Sequence, residues 1–194
     1  MKTLLSLILI IFSMSVSSQN INTLPYYQIP DHPDTYTAGT VTARMIDGLG
    51  FRFYWATEGL TPNDLDFKLK ADGRPILDLM THVYSMSTII RDAALKVPHT
   101  RETFKKPLSY SELRMLTLNN YKKASDILKK ADNLESFNIV FKGTDSDRVV
   151  PFWNAINGPI EDSVWHCGQI AASRRISGNP INSNINHFTG TVRE

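Results

Sequence analysis

Ile76-Leu-Asp-Leu-Met-Thr-His-Val-Tyr84 carries apolar side chains at positions 76, 79, 80, 83 and 84. Spacings of three and four residues put them on one face of an α-helix. Ile90 and Ala94 prolong the stripe. The helix is expected to start near Arg74-Pro75, because proline is tolerated in a first turn, and to end before Pro98. One residue beside the apolar stripe stands out. His82 is a ligating side chain within a strongly apolar stretch.

Three further segments have the same character. From Thr40 to about Gly59, Val41, Met45, Leu49, Phe53 and Ala56 recur at helical spacing, although Gly48 and Gly50 weaken the pattern. Gly59 and Thr61-Pro62 supply a stop. Ser109-Tyr-Ser-Glu112 matches a capping box. It opens a stripe of Leu113, Leu116, Tyr121, Ala124, Ile127, Leu128 and Ala131. The last helix is expected from about Pro151 to Ser177, ended by Gly178-Asn-Pro180 and kinked or restarted at Asn157-Gly-Pro159.

Ahead of that helix, Phe137-Asn-Ile-Val-Phe-Lys142 alternates. Gly143-Thr-Asp-Ser-Asp147 follows, then Arg148-Val-Val150, the pattern of a short β-hairpin. Four amphipathic helices make an all-α four-helix bundle over residues 40–180 the simplest architecture. The long connections after its second and third helices allow at least one crossover. Pro25, Pro30 and Pro33 mark residues 19–39 as an extended arm, and residues 181–194 read as a polar tail.

The N-terminus bears on compartment. Lys2 precedes Leu4-Leu5-Ser-Leu-Ile-Leu-Ile-Ile-Phe12 and a small-residue exit ending at Ser18. This is the layout of a secretory signal peptide over residues 1–18. An exported protein, periplasmic or secreted, with no stable membrane anchor after cleavage is therefore expected. An uncleaved N-terminal anchor is the alternative.

The remaining 19–194 stretch is long enough for one domain with a full core. The whole chain has 21 Lys+Arg against 19 Asp+Glu, and only Lys2 of these lies in the leader. A near-neutral balance gives no support for nucleic-acid binding, which needs a clustered basic face. Arg174-Arg175 and Lys129-Lys130 are isolated pairs expected on solvated surface. Cys167 is the single cysteine, so no internal disulfide can form.

The chemistry concentrates in Glu161-Asp-Ser-Val-Trp-His-Cys-Gly-Gln-Ile170. Asp162 and His166 stand four apart and project from one helix face, about 5–6 Å apart at Cβ. That spacing suits chelation of one metal ion. His82, from the other helix, is the natural third ligand. Asp162, His166, Gln169 and Ser173 form a polar stripe, while Phe152, Ile156, Ile160, Val164, Cys167 and Ile170 are the core candidates. Spacing alone favours a solvated Asp–His pair over a ligand set. Likewise, His82 alone fits a hydrogen-bonded core histidine, with Asp78 as its partner or as the group orienting a metal-bound imidazole.

Two runs carry a resemblance. Ile76-Leu-Asp-Leu-Met-Thr-His82 resembles the helix bearing the first metal histidine of the DinB-like family. Asn157-Gly-Pro-Ile-Glu-Asp-Ser-Val-Trp-His-Cys-Gly-Gln-Ile-Ala-Ala-Ser-Arg-Arg-Ile-Ser-Gly-Asn-Pro180 resembles that family's last helix. His166 and Gly168-Gln-Ile170 match the family pattern, whereas Asp162 stands where a histidine is usual. The resemblance implies a four-helix bundle with one divalent metal on His82, Asp162 and His166. Zinc or nickel is the family's common metal. A two-histidine, one-carboxylate set also suits iron or manganese. Metal-dependent transferases and isomerases that use small thiols are known in the family, and an exported location favours hydrolysis instead.

The expected function is accordingly that of an exported metal-binding protein, a hydrolase or transferase acting on an unidentified small molecule. The alternative is a non-catalytic module for a small ligand or a protein partner. A homodimer is compatible with either. Glu58 and Glu161 are candidate acid–base groups. His32, His99 and His187 fall in connections or the tail and are expected at the surface. Cys167 is expected in the core, as are Trp55, Trp153 and Trp165, with Trp153 or Trp165 an optional pocket wall.

Overall fold

Each long helix begins or ends where its sequence supplies a chemical reason. The computed structural model describes residues 24–193, so the expected signal peptide lies outside the described residues. Helix α1 spans Ala38–Thr57; Thr37 caps it through a box with Thr40. A short helix, α2, covers Pro62–Leu65 and is boxed by Thr61 and Asp64. Helix α3 runs Ile76–Leu95 and stops at Lys96, whose φ of 57° is left-handed. The expected box of Ser109 and Glu112 opens α4, Tyr110–Leu128.

Strands β1 (Ile139–Phe141) and β2 (Arg148–Val150) form the anticipated hairpin, with Ile139 opposite Val150 and Phe141 opposite Arg148. The last helical region is segmented. It consists of α5 (Trp153–Ala155), a π-helical turn over Ile156–Ile160, and α6 (Glu161–Ile176). Pro159 lies inside the π turn, which accommodates a residue that has no N–H and would crowd an α-helical turn. Ser163 Oγ donates to the Pro159 carbonyl at 2.6 Å and ties the turn to α6. Gly178, at φ 95°, ends the run.

The described residues are predominantly helical, with two small two-stranded sheets among them. Helix α4 packs on α1 and on α3, and α6 packs on the same two partners, so the four long helices surround one core. Ile46, Leu49 and Phe53 of α1 meet Met80, Val83 and Ile90 of α3, Leu118 and Tyr121 of α4, and Cys167 and Ile170 of α6 there, all essentially without exposure. Each large apolar side chain so buried contributes about 1.5–3 kcal/mol. An exposed pair such as Lys122–Asp126, four apart on α4, contributes about 0.3–0.5 kcal/mol. Packing therefore assembles the helices.

The α3 stripe is buried as expected, and the α1 stripe only in part. Leu49, Phe53 and Ala56 are buried, but Val41 and Met45 are exposed and Ala43 and Ile46 take their place. Val164 of α6 is exposed as well. A second apolar patch explains why α1 misleads. Its other face buries Phe51 and Trp55 against Ile29 of the arm and Ile185 and Val192 of the C-terminal segment.

The arm and the tail are thus docked. Tyr26 lies across Gly50, where a Cβ would collide with its ring, and its hydroxyl donates to Asp47 Oδ1 at 3.0 Å. The polar tail expected over 181–194 folds into a ribbon, β3 (Ile185–Asn186) and β4 (Thr191–Val192). It binds the arm through Ile29 N–H to the Gly190 carbonyl at 2.8 Å.

Several surface expectations are corrected. Trp153 and Trp165 are 75% and 72% exposed, so only Trp55 of the three tryptophans packs inside. His99 is largely buried: its Nδ1 lies 2.9 Å from Asp92 Oδ2 and its ring meets Phe141 edge-on. Lys129 leaves the solvated surface to pair with the buried Asp47 at 3.0 Å. Arg174 is buried at the end of α1, where its guanidinium donates to the carbonyls of Trp55, Ala56 and Glu58 at 2.9–3.1 Å. Those carbonyls have no helical partner of their own, and Arg174 satisfies them.

Candidate metal centre

Helices α3 and α6 bring His82, Asp162 and His166 together. His82 Nε2 lies 2.9 Å from Asp162 Oδ2. His166 Nε2 lies 3.5 Å from the same oxygen. The two imidazole rings stand edge to face, 4.7 Å between centroids. One donor atom from each residue falls within 4.8 Å of the other two, so the group can hold a metal ion. Two ligand atoms about 2.1 Å from one zinc lie about 3.4 Å apart in a tetrahedral set, so only small side-chain adjustments are needed.

The register of α6 supplies two of the three groups. Positions 162 and 166 are one turn apart, and the π turn ahead of them sets which face they present. The third, His82, is the seventh residue of α3, nearly two turns from its start and between the buried Leu79 and Val83.

Gln169 orients His166. Its Oε1 accepts a hydrogen bond from His166 Nδ1 at 2.7 Å. With that proton on Nδ1, a neutral imidazole turns the Nε2 lone pair toward Asp162. That nitrogen and the carboxylate oxygen lie 3.5 Å apart, close to the separation of two ligands on one cation. Asp78, the expected partner of His82, is exposed and makes no hydrogen bond to it among the described residues.

The three side chains open onto a cavity of about 510 Å³ lined also by Leu69, Gly73, Arg74, Leu79, Gln169 and Ser173. The polar stripe of α6 is thus a cavity wall. Side-chain exposure is 34% for His82, 37% for Asp162 and 13% for His166, so His82 and Asp162 are reachable by a small molecule and His166 is the most enclosed of the three. Neither Glu58 nor Glu161 lines this cavity. Glu58 pairs with Arg114, and Glu161 is exposed. Cys167, one position from His166, is buried in the core, and burial pushes its thiol up to about 12.

Sequence reading missed Arg74, Gly73 and Leu69 as parts of the site, because they precede α3 in a connection without periodicity. Gln169 was legible as a member of the stripe; its three-residue spacing from His166 was the signal of its role. No protein-family model, curated protein or solved structure matches the chain.

Proposed function

We propose that this protein is an exported, DinB-like helical bundle that binds one divalent cation through His82, Asp162 and His166 and acts as a metal-dependent hydrolase or transferase on a small molecule. The observation that carries the reading is the convergence of three ligand atoms from two helices at the wall of an open cavity. The hydrogen bond of Gln169 to His166 supports it, because ligating imidazoles are commonly held through their other nitrogen. So does the resemblance of residues 76–82 and 157–180 to the DinB-like pattern.

His82 and His166 present nitrogen and Asp162 oxygen, a donor set that suits zinc or nickel and is equally sound for iron or manganese. When bound, such a cation supplies Lewis-acid polarisation of a ligand oxygen or sulfur. Three protein ligands leave room for that ligand. Gln169 fixes the His166 ring, the α6 register fixes Asp162, and the buried Leu79 gives the cavity an apolar wall. The test is a substrate screen for hydrolysis and group transfer on metal-loaded protein. Turnover that chelation abolishes and that His82→Ala and His166→Ala remove supports the reading; turnover indifferent to both refutes it.

One observation favours a second reading. His82 and Asp162 already satisfy each other at 2.9 Å without a metal. A non-catalytic ligand-binding or protein-interaction module would need nothing more. That reading predicts unchanged ligand or partner binding after chelation.

A further inference from the structure

The cavity beside the three ligands has an uneven charge. Its charged lining consists of Asp162 and Arg74, together with two histidines. Asp162 is committed to His82 and His166. Arg74 is exposed and makes no ion pair among the described residues. It directly precedes α3, whose N-cap, Pro75, gives the first turn no side-chain acceptor. The positive end of the α3 dipole lies at the same rim, offset in part by Asp78 in the first turn, which does not line the cavity. A divalent cation on Asp162 and the histidines leaves the loaded cavity net positive. The buried Leu79 gives the cavity a low-dielectric wall, which strengthens that field.

From this arrangement we infer that the site takes a small oxyanion, a molecule with a carboxylate or phosphate head that Arg74 grips while another of its atoms reaches the cation. The inference rests on the proposed metal site and names the class of molecule that site receives. A planar guanidinium matches both kinds of head group with two parallel hydrogen bonds. A volume of about 510 Å³ holds a molecule of small-metabolite size. Ser173, buried on the α6 wall, and the Gln169 amide offer the remaining polar contacts. No second carboxylate lines the cavity to repel an anion.

Cobalt(II) titration read by visible absorption tests this. The purified protein is loaded with cobalt, and succinate, inorganic phosphate and neutral succinamide are then titrated into it and into Arg74→Gln. Succinate or phosphate is expected to bind and perturb the cobalt spectrum, and Arg74→Gln is expected to weaken that binding about tenfold or more. The anion with the larger Arg74 dependence identifies the head group. Equal binding of succinamide, or anion affinity within about twofold in Arg74→Gln, overturns the inference while the metal site stands. Cobalt uptake that is absent, or unaffected by His82→Ala, removes the metal site and this inference with it.

Discussion

Gln169 accepts a hydrogen bond from His166 Nδ1 at 2.7 Å, one turn along the same helix. This contact directs the other ring nitrogen at Asp162, and through Asp162 at His82 on α3. Removing it leaves the three ligands present but one of them unheld. Gln169→Ala is expected to lower metal affinity about 10–100-fold, with Gln169→Glu retaining most of it. Competition against a chromogenic chelator measures the change; equal affinities in all three proteins would remove Gln169 from the site.

Arg174 fastens α6 to the end of α1 by donating to three backbone carbonyls and to Asn179. Arg174→Met keeps much of the side-chain volume and orphans the carbonyls. A loss of about 2–4 kcal/mol is expected in denaturant unfolding. Arg175→Met, at an exposed neighbour, is expected to change stability by less than about 0.5 kcal/mol. Equal effects would show that the buried guanidinium does not bind the two helices.

These contacts also show which parts of the structure can be read from sequence. The α3 stripe is legible because that helix buries a single face, so periodicity and burial coincide. Along α1 two faces are covered, one by the core and one by the arm and the tail ribbon, and no single stripe describes it. Arg174 looks like surface because the groups at the end of α1 that bury it lie well over a hundred positions away and are carbonyls, which carry no side-chain signature. The His82, Asp162, His166 group was legible as a set of candidates from the one-turn spacing of Asp162 and His166 and from the lone histidine of α3, although spacing alone favoured a solvated pair. Arg74 was not, because a connection has no period to follow.

Asp64 is a pH-sensitive clasp between α2 and the end of α6. Burial raises its pKa, but hydrogen bonds from Ser177, Asn179 and Thr61 outweigh burial and hold it well below the usual carboxylate range. A depressed folded-state pKa contributes stability that is present above the unfolded value of about 3.9 and is lost as pH falls below it. Asp64→Ala is expected to cost about 2–3 kcal/mol at neutral pH, and less toward pH 2. Unfolding curves collected from pH 7 to pH 2 check this; a deficit that stays constant on acidification would contradict it.

Cys167 is buried against the core, and its thiol is pushed up to about 12. The thiolate is the reactive form, so a folded chain at pH 8 should resist alkylation and disulfide exchange. Ellman's reagent is expected to find no thiol in the native protein within minutes and one per chain in guanidinium. Rapid native labelling would place Cys167 outside the core.

Metal content decides the central claim. Elemental analysis of tag-free protein, prepared without nickel chromatography and dialysed against trace-metal buffer, should find close to one divalent metal per chain. His82→Ala and His166→Ala, verified as folded by circular dichroism, should retain only trace amounts. Wild-type protein that stays metal-free after incubation with zinc, nickel, iron(II) and manganese, or variants that bind as much as wild type, would contradict a cation held between α3 and α6.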